Sequence, residues 1–195
     1  MQAAAFIDRD GVINRDLGHV HRIEDFEVLP GVVQGLRQLA ARGFALVVVT
    51  NQAGIAKGLY GPAEFEALTS HMKAWFQMQG VVFSGIFHCP HHPQGSVAPW
   101  TRSCDCRKPE PGLILQAART LQLDLPRSVM VGDKLSDMQA AERAGVGRRI
   151  LVESGHALPQ DTRQDADHRC AGLLEAAQWI CAQAAVTEGA GAPAP

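Results

Sequence analysis

Three groups of polar residues could together handle a phosphoryl group. The first is Asp8 with Asp10, the second is Thr50 with the two polar residues after it, and the third is Asp133 with Asp137. Carboxylate oxygens are ligands that Mg²⁺ prefers, and a carboxylate can also act as a nucleophile. A hydroxyl and nearby lysines supply a donor and positive charge for phosphoryl oxygens. Phosphoryl transfer needs mainly positioning and charge neutralisation, and this set provides both.

A second concentration of reactive side chains lies in the segment CPHHPQGSVAPWTRSCDC, residues 89–106. Cys89, Cys104 and Cys106 with one histidine make four ligands, which fill a tetrahedral zinc site completely. A closed set leaves no position for water, so the zinc expected here is structural. The spacing leaves open which of the two adjacent histidines ligates. Free thiols in a flexible segment are the weaker alternative, because a long Pro- and Gly-containing loop needs something to order it.

The order of the polar residues matters more than any one of them. Side-chain direction repeats every two residues in an extended chain, so Asp10 leaves the chain on the same side as Asp8 and can handle protons there. Taken alone, such acids are usually turn or capping residues. Thr50 and Asn51 could merely cap a helix, and Lys108 could be a solvated surface residue. The functional interpretation requires that they meet at one place.

The elements that could bring them together follow from the hydrophobic pattern. Apolar runs predict strands at residues 3–7, 44–50, 81–89, 128–133 and 148–154. Amphipathic segments predict helices at residues 30–43, 62–80, 111–123, 136–145 and 170–185. This alternation predicts an α/β fold of Rossmann-like type, a parallel sheet with helices on both faces. Ligands bind such sheets outside the carboxyl ends of the strands, where the three polar groups are expected.

Length and composition narrow the class of protein. The 195 residues suffice for one domain, predicted at 1–185, followed by a disordered Gly- and Pro-rich tail at 186–195. A net charge of −2 does not favour nucleic acid or an acidic membrane surface. The chain has no long apolar run and begins without the basic region of a signal peptide. We therefore expect a cytoplasmic protein whose five cysteines are reduced or metal-bound.

The motifs FIDRDGVIN, VVVTNQ, RKPEPG and VMVGDKLSD, in this order, resemble those of the haloacid dehalogenase superfamily of phosphohydrolases. The resemblance implies that Asp8 is a nucleophile that forms an aspartyl-phosphate and that Asp10 is the general acid/base. It also implies that Thr50 and Lys108 bind the transferring phosphoryl group. The segment between those two residues is mostly a predicted helix, a strand and the cysteine loop, so we expect a capless member with a fairly open site.

The same resemblance implies a catalytic Mg²⁺. Its ligands would be Asp8, the backbone carbonyl of Asp10, and Asp133. Asp137 would support the site from behind, although its side chain could also simply cap the following helix.

Within the superfamily, the segments DRDGVIN, TNQAGIAKGLY and CPHHP…CDCRKP resemble most the family of heptose 1,7-bisphosphate 7-phosphatases. That resemblance implies hydrolysis of the sugar 7-phosphate in the synthesis of lipopolysaccharide precursors. It favours His91 over His92 as the fourth ligand of a structural Zn²⁺, beside Cys89, Cys104 and Cys106. The implied substrate positions are Asp16, Leu17, Gly18, His19, Asn51, Gln52, Ala53, Arg107 and Lys134. His19 departs from the family, which commonly has tyrosine there.

Two alternatives stay open at this point. Histidinol-phosphate phosphatase is a relative with a similar zinc loop. A catalytically idle, zinc-stabilised binding module is the alternative from another class, but such a module would not need both acids, Asp8 and Asp10. The expected partner is a small sugar phosphate, with neither nucleic acid nor membrane, and the expected state is a monomer. Arg107, beside the cysteine loop, either binds a second phosphate of the substrate or is a solvated loop residue.

Overall fold

Parallel strands form the centre of the molecule. The computed structural model describes residues 1–155 and 165–189, with side chains only as far as Gln183 in the last helix. The strands of this described part are β1 (Ala4–Ile7), β2 (Ala45–Asn51), β3 (Gly85–Cys89), β4 (Val129–Gly132), β5 (Arg148–Val152) and β6 (His168–Cys170). They form one sheet in the order β3-β2-β1-β4-β5-β6, and every pairing is parallel.

Helices connect the strands and cover the sheet. They are α1 (Val32–Ala41), α2 (Ala53–Ala56), α3 (Pro62–Met78), α4 (Gly112–Leu121), α5 (Leu135–Ala144) and α6 (Leu173–Gly189). α1 packs closely on α6, and Gly35 makes this approach possible: a Cβ there would lie 2.9 Å from the carbonyl oxygen of Leu173. No helix in the described ranges is long and apolar enough to cross a membrane.

Alternate residues of the central strands pack into two separate hydrophobic cores. Ala5 and Ile7 of β1 belong to the cluster that includes side chains of α1, α3 and α6. Ala4 and Phe6 belong to the cluster that includes side chains of α4 and α5. This is the expected consequence of a side-chain period of two in a sheet covered on both faces. Burying each large side chain, such as Phe6, contributes roughly 1.5–3 kcal/mol. The α/β prediction is confirmed.

The strand order determines where in the sheet the predicted site lies. β1 pairs with β2 on one side and with β4 on the other, and the later strands continue outward from β4. The order therefore reverses between β1 and β4, which is where parallel sheets open a crevice at their carboxyl ends. Asp8 directly follows β1 and Asp133 directly follows β4, while Thr50 lies at the end of β2.

Several predicted boundaries were wrong. The third strand begins at Gly85 instead of residue 81, although Val81 and Phe83 are buried and Val82 is 70% exposed. That burial pattern has the period of a strand, but pairing with β2 starts only at Gly85. The short β6 and α2 were missed because three or four residues show no recognisable period. The last helix begins at Leu173 and continues to Gly189. Residues 190–195 of the predicted tail lie outside the described part.

Candidate active site

A buried ion pair lies at the carboxyl ends of the central strands. The Nζ atom of Lys108 lies 3.0 Å from Oδ1 of Asp8 and 2.6 Å from Oδ1 of Asp137. It also donates to the carbonyl of Val49 at 2.8 Å. Burial alone would lower the pKa of Lys108, but the carboxylates of Asp137 and Asp8 outweigh it and raise the pKa. The ammonium therefore stays charged beside the predicted nucleophile.

The backbone of Lys108 is held by a single side chain. Asn51, the last residue of β2, accepts from the amide of Lys108 at 3.1 Å and donates to its carbonyl at 3.0 Å. This two-bond contact ties the end of the cysteine loop to the edge of the sheet. Asn51 was predicted to bind substrate, and its amide is used here to position Lys108.

Three carboxylates meet beside Lys108. One oxygen each from Asp8, Asp133 and Asp137 lies within 4.8 Å of the others, and all three residues are buried. Complete burial raises the pKa of Asp137 to about 6, with Asp8 and Asp133 adding to the rise and Lys108 opposing it. Asp137 also accepts from the amide of Lys134 at 3.0 Å, so it caps α5 as well as facing the cluster.

This carboxylate cluster (Asp8, Asp133 and Asp137) fits a magnesium ion chemically. Buried carboxylates close to one another repel unless positive charge lies between them, and their hard oxygens are the donors that Mg²⁺ prefers. Glycines leave the space for Asp133. A Cβ on Gly11 would lie 2.3 Å from its Oδ2 atom, and one on Gly155 would lie 2.0 Å from it.

The second acid of the first motif has partners of its own. Asp10 pairs with the buried guanidinium of Arg9, whose terminal nitrogen lies 2.9 Å from Oδ2. Asn14 donates to Asp10 Oδ1 at 3.0 Å, and Gln52 donates to Oδ2 at 3.1 Å. Arg9 was missed because a basic residue between two acids is usually exposed, whereas this residue is only 1% exposed.

A cleft of about 440 Å³ opens above these residues. The structure brings most of the predicted substrate positions to it, namely Asp16, Gly18, His19, Asn51, Gln52, Ala53, Arg107 and Lys134, together with Asp8, Asp10, Thr50 and Lys108. Leu17 is the exception: it is 57% exposed and is not part of the lining. Lys57 and Ser136 border the cleft and were not predicted.

The mouth of the cleft is positively charged and internally braced. Lys134 lies 3.1 Å from Oδ2 of Asp16, which anchors the loop carrying His19 to the end of β4. Nε2 of His19 lies 3.3 Å from Nζ of Lys57. Partial burial lowers the pKa of His19, and the neighbouring Lys57 lowers it further. Arg107 approaches the carbonyl of His91 at 3.4 Å.

The cysteine loop forms a separate cluster. Sγ of Cys106 lies 3.2 Å from that of Cys89 and 3.3 Å from that of Cys104, and the Cys89–Cys104 distance is 3.5 Å. Nδ1 of His91 lies 3.3 Å from Cys106 and 3.7 Å from Cys89. Zn–S bonds near 2.3 Å and Zn–N bonds near 2.0 Å span such edges in a tetrahedron.

The cluster also suits zinc in its electrostatics. Burial raises the pKa of Cys89, and burial likewise raises the pKa of Cys106, to about 11. Such thiols ionise readily only when a cation lies among them. The cluster contains His91, the histidine that the resemblance favours as a zinc ligand. The neighbouring His92 instead accepts from the amide of Gln94 at 3.1 Å.

Comparisons with known proteins agree with this geometry. A family model described as HAD-hydrolase-like matches residues 105–176. The D-glycero-beta-D-manno-heptose-1,7-bisphosphate 7-phosphatase of Escherichia coli K12 is 49% identical over 177 residues, which are 91% of this chain and 93% of that protein. The protein of the same name from Haemophilus ducreyi is 43% identical over 91% of this chain and 97% of its own.

Solved structures show the same fold. The D,D-heptose 1,7-bisphosphate phosphatase of B. bronchiseptica, crystallised with magnesium and phosphate, superposes with a TM-score of 0.79. It is 32% identical, and the match covers 93% of this chain and 99% of that one. A HAD-like phosphatase from Mesorhizobium loti is 34% identical with a TM-score of 0.76, over 92% of this chain and 87% of that one.

Proposed function

This chain belongs to the D-glycero-beta-D-manno-heptose-1,7-bisphosphate 7-phosphatase family of haloacid dehalogenase-like hydrolases, and we propose that it removes the 7-phosphate of that sugar through an aspartyl-phosphate on Asp8. The observation that carries the proposal is the setting of Asp8. Its carboxylate borders the cleft, lies 3.0 Å from the ammonium of Lys108 and belongs to the carboxylate cluster. A phosphoryl group bound there would meet a nucleophile and positive charge together.

In the first step, an oxygen of Asp8 bonds to phosphorus and the bond from phosphorus to the sugar oxygen breaks. The electron pair stays on the sugar oxygen, which takes a proton from Asp10 in its protonated form. Thr50 and Lys108 donate to the phosphoryl oxygens as their charge is redistributed. Asp8 cannot leave this position easily, because its Oδ1 atom accepts from the amide of Arg9 at 2.8 Å and forms an ion pair with Lys108.

In the second step, water attacks the phosphorus of the aspartyl-phosphate and gives its proton to ionised Asp10. The bond between phosphorus and Asp8 breaks, which releases inorganic phosphate and restores the carboxylate. Arg9, whose terminal nitrogen lies 2.9 Å from Oδ2 of Asp10, holds this side chain in place for both proton transfers.

We propose that Mg²⁺ is held by Asp8, the backbone carbonyl of Asp10, and Asp133, with Asp137 behind them. Bound there, it would supply charge neutralisation for the phosphoryl oxygens. The solved relative from B. bronchiseptica is complexed with magnesium and phosphate, which supports magnesium as the ion. Asp137 holds Lys108 at 2.6 Å, which supports its role as a residue that keeps the lysine aimed at Asp8.

We assign the far end of the substrate to the positively charged mouth of the cleft. Arg107 and Lys57 border it beside His19. A guanidinium can grip a second phosphate with paired hydrogen bonds, and this binding can orient the reacting end. We also propose that the cysteine cluster holds a structural Zn²⁺ through Cys89, His91, Cys104 and Cys106. The four donor atoms lie close to one another, and none of the four residues lines the cleft.

A panel of phosphorylated substrates tests the proposed function. Phosphate release would be measured for the heptose 1,7-bisphosphate, histidinol phosphate and a simple sugar monophosphate, each with Mg²⁺. We expect the highest kcat/KM for the heptose bisphosphate. Faster hydrolysis of histidinol phosphate would overturn the substrate and keep the phosphatase. No release from any of them would overturn the phosphatase.

A further inference from the structure

Gln52 has all four of its hydrogen-bonding positions occupied by protein. It is only 1% exposed. Its Nε2 atom donates to Oγ1 of Thr50 at 2.9 Å and to Oδ2 of Asp10 at 3.1 Å. Its Oε1 atom accepts from the hydroxyl of Tyr60 at 2.5 Å and from Arg9 at 3.3 Å. A primary amide offers two donors and two acceptor positions, so this side chain has none left for a ligand.

The direction of the amide follows from its neighbours. Arg9 has donors and no acceptor, so the atom of Gln52 that faces it must be the oxygen. The guanidinium cannot turn away easily, since it also donates to the carbonyl of Val20 at 2.6 Å and to Asp10, and lies 5.9 Å from the ring centre of Phe65. The nitrogen of Gln52 is therefore directed at Asp10 and at the Thr50 hydroxyl.

This direction has a consequence for the phosphoryl site. The hydroxyl of Thr50 accepts a bond from Gln52, so its own hydrogen is left to donate elsewhere. Thr50 borders the cleft, where a phosphoryl oxygen would be the acceptor. The same amide nitrogen holds one oxygen of Asp10. The buried side chain of Gln52 thus orients both Asp10, which follows β1, and Thr50, which lies at the end of β2.

We propose that Gln52, held by Tyr60 and Arg9, is a positioning residue that directs the Thr50 hydroxyl to the phosphoryl group and holds the Asp10 carboxylate for proton transfer. This proposal rests on the proposed phosphatase chemistry. It replaces the expectation that Gln52 contacts the substrate. Tyr60 suits its part because burial raises the pKa of its hydroxyl to about 12, with Asp10 adding to the rise and Arg9 opposing it. The hydroxyl therefore remains a donor throughout the pH range in which enzymes work.

Gln52→Glu is the first test, because it keeps the shape and removes both donors. A carboxylate would repel Asp10 and would take the hydrogen of Thr50 for itself. We expect kcat to fall about 10²-fold, the lower end of what proton transfer supplies, with KM within about threefold of wild type. The matched control is Gln116→Glu, on the exposed face of α4, which should leave both constants unchanged. A raised KM with an unchanged kcat would make Gln52 a substrate contact and overturn the proposal.

Tyr60→Phe provides a second variant that removes one oxygen and keeps the ring that stacks on His21. We expect kcat to fall roughly two- to tenfold, the range of one neutral hydrogen bond. Because Tyr60 acts through Gln52, the double variant with Gln52→Glu should be no slower than Gln52→Glu alone. Losses that multiply would show that Tyr60 acts independently, against the proposal. Melting temperatures of all variants would confirm that each one is folded.

The leaving group separates this proposal from the proposed substrate. p-Nitrophenyl phosphate releases a group that needs no proton, so Asp10 contributes less to its cleavage. We expect Gln52→Glu to lower kcat/KM at least about tenfold more for an alkyl phosphate than for p-nitrophenyl phosphate. Equal losses on the two esters would overturn the link to Asp10. If wild type rejects the heptose bisphosphate, any alkyl phosphate it accepts serves for the comparison, so the substrate can fail while Gln52 is still tested.

Discussion

The carboxylate cluster and the cysteine cluster are both groups of possible metal ligands, and they differ in what surrounds them. The four donor atoms of Cys89, His91, Cys104 and Cys106 face one another at the vertices of a closed set. Asp8 and Asp137 line the cleft, whereas Asp133 is buried beside them, and Lys108 pairs with both Asp8 and Asp137. A closed set of soft donors suits a structural ion, whereas an open set of hard donors leaves room for substrate.

The two clusters are also mechanically connected. Cys89 pairs in register with Asn51 across β3 and β2, and Asn51 brackets the backbone of Lys108 with two hydrogen bonds. Cys106 is only two residues before Lys108. Ordering the cysteine loop therefore orders the lysine that faces the nucleophile. We therefore expect changes at the carboxylate cluster to lower turnover and changes at the cysteine cluster to lower stability.

Asp8→Asn should have the largest effect on turnover. The amide keeps the shape and loses most of the nucleophilicity, so kcat should fall on the order of 10³-fold or more. Steady-state phosphate release would measure it, with the exposed Asp25→Asn as the control expected to behave like wild type. A variant that kept a tenth of the wild-type turnover would exclude Asp8 as the nucleophile.

Chelation should separate the two clusters. Mild EDTA treatment should abolish activity, and added Mg²⁺ should restore it, because carboxylates and waters exchange Mg²⁺ readily. Elemental analysis of the same inactive sample should still find about one zinc per chain, as expected for a closed four-ligand site. Protein purified without chelator and found free of zinc would contradict the structural assignment of the cysteine cluster.

Arg107→Ala should weaken one class of substrate. We expect kcat/KM to fall roughly 10- to 100-fold for the heptose bisphosphate, the range of a charge-assisted hydrogen bond, and only a few-fold for a simple monophosphate ester. The control is Arg127→Ala. Arg127 precedes β4, at the end of the sheet opposite the cleft, so this change should leave kcat/KM for both substrates unchanged. Equal losses on both substrates would show that Arg107 does not bind the second phosphate.

Cys106→Ser should affect stability more than chemistry. Zinc-binding energy is also folding energy, so the melting temperature should drop by at least about 5 °C. Turnover should fall by about tenfold, because the Arg107–Lys108 segment loses its anchor. Cys181→Ser in α6, outside the cluster, is the matched control. An unchanged melting temperature with zinc still bound would remove Cys106 from the ligand set.

Much of the fold could be predicted because local signals were strong. Pro62 begins α3, and Gly43 and Gly145, both with positive φ, follow α1 and α5 where the sequence predicted helix ends. The predicted strand at residues 81–84 is absent from the structure. A strand forms only where a neighbouring strand pairs with it, and the sequence of one segment does not show which strands will be its neighbours. The same holds for the short β6.

The sequence by itself determined the chemical inventory: acids, a hydroxyl and a lysine at strand ends, and four soft ligands in one loop. Residue type and spacing suffice for that, because strand ends of a parallel sheet meet at one edge. Only the tertiary structure decided how these groups are used. It assigned Asn51 to the backbone of Lys108, placed the amide of Gln52 between Thr50 and Asp10, and buried Arg9 against Asp10. Hydrogen-bond direction and desolvation depend on neighbours that lie far apart in the sequence, and only folding brings them together.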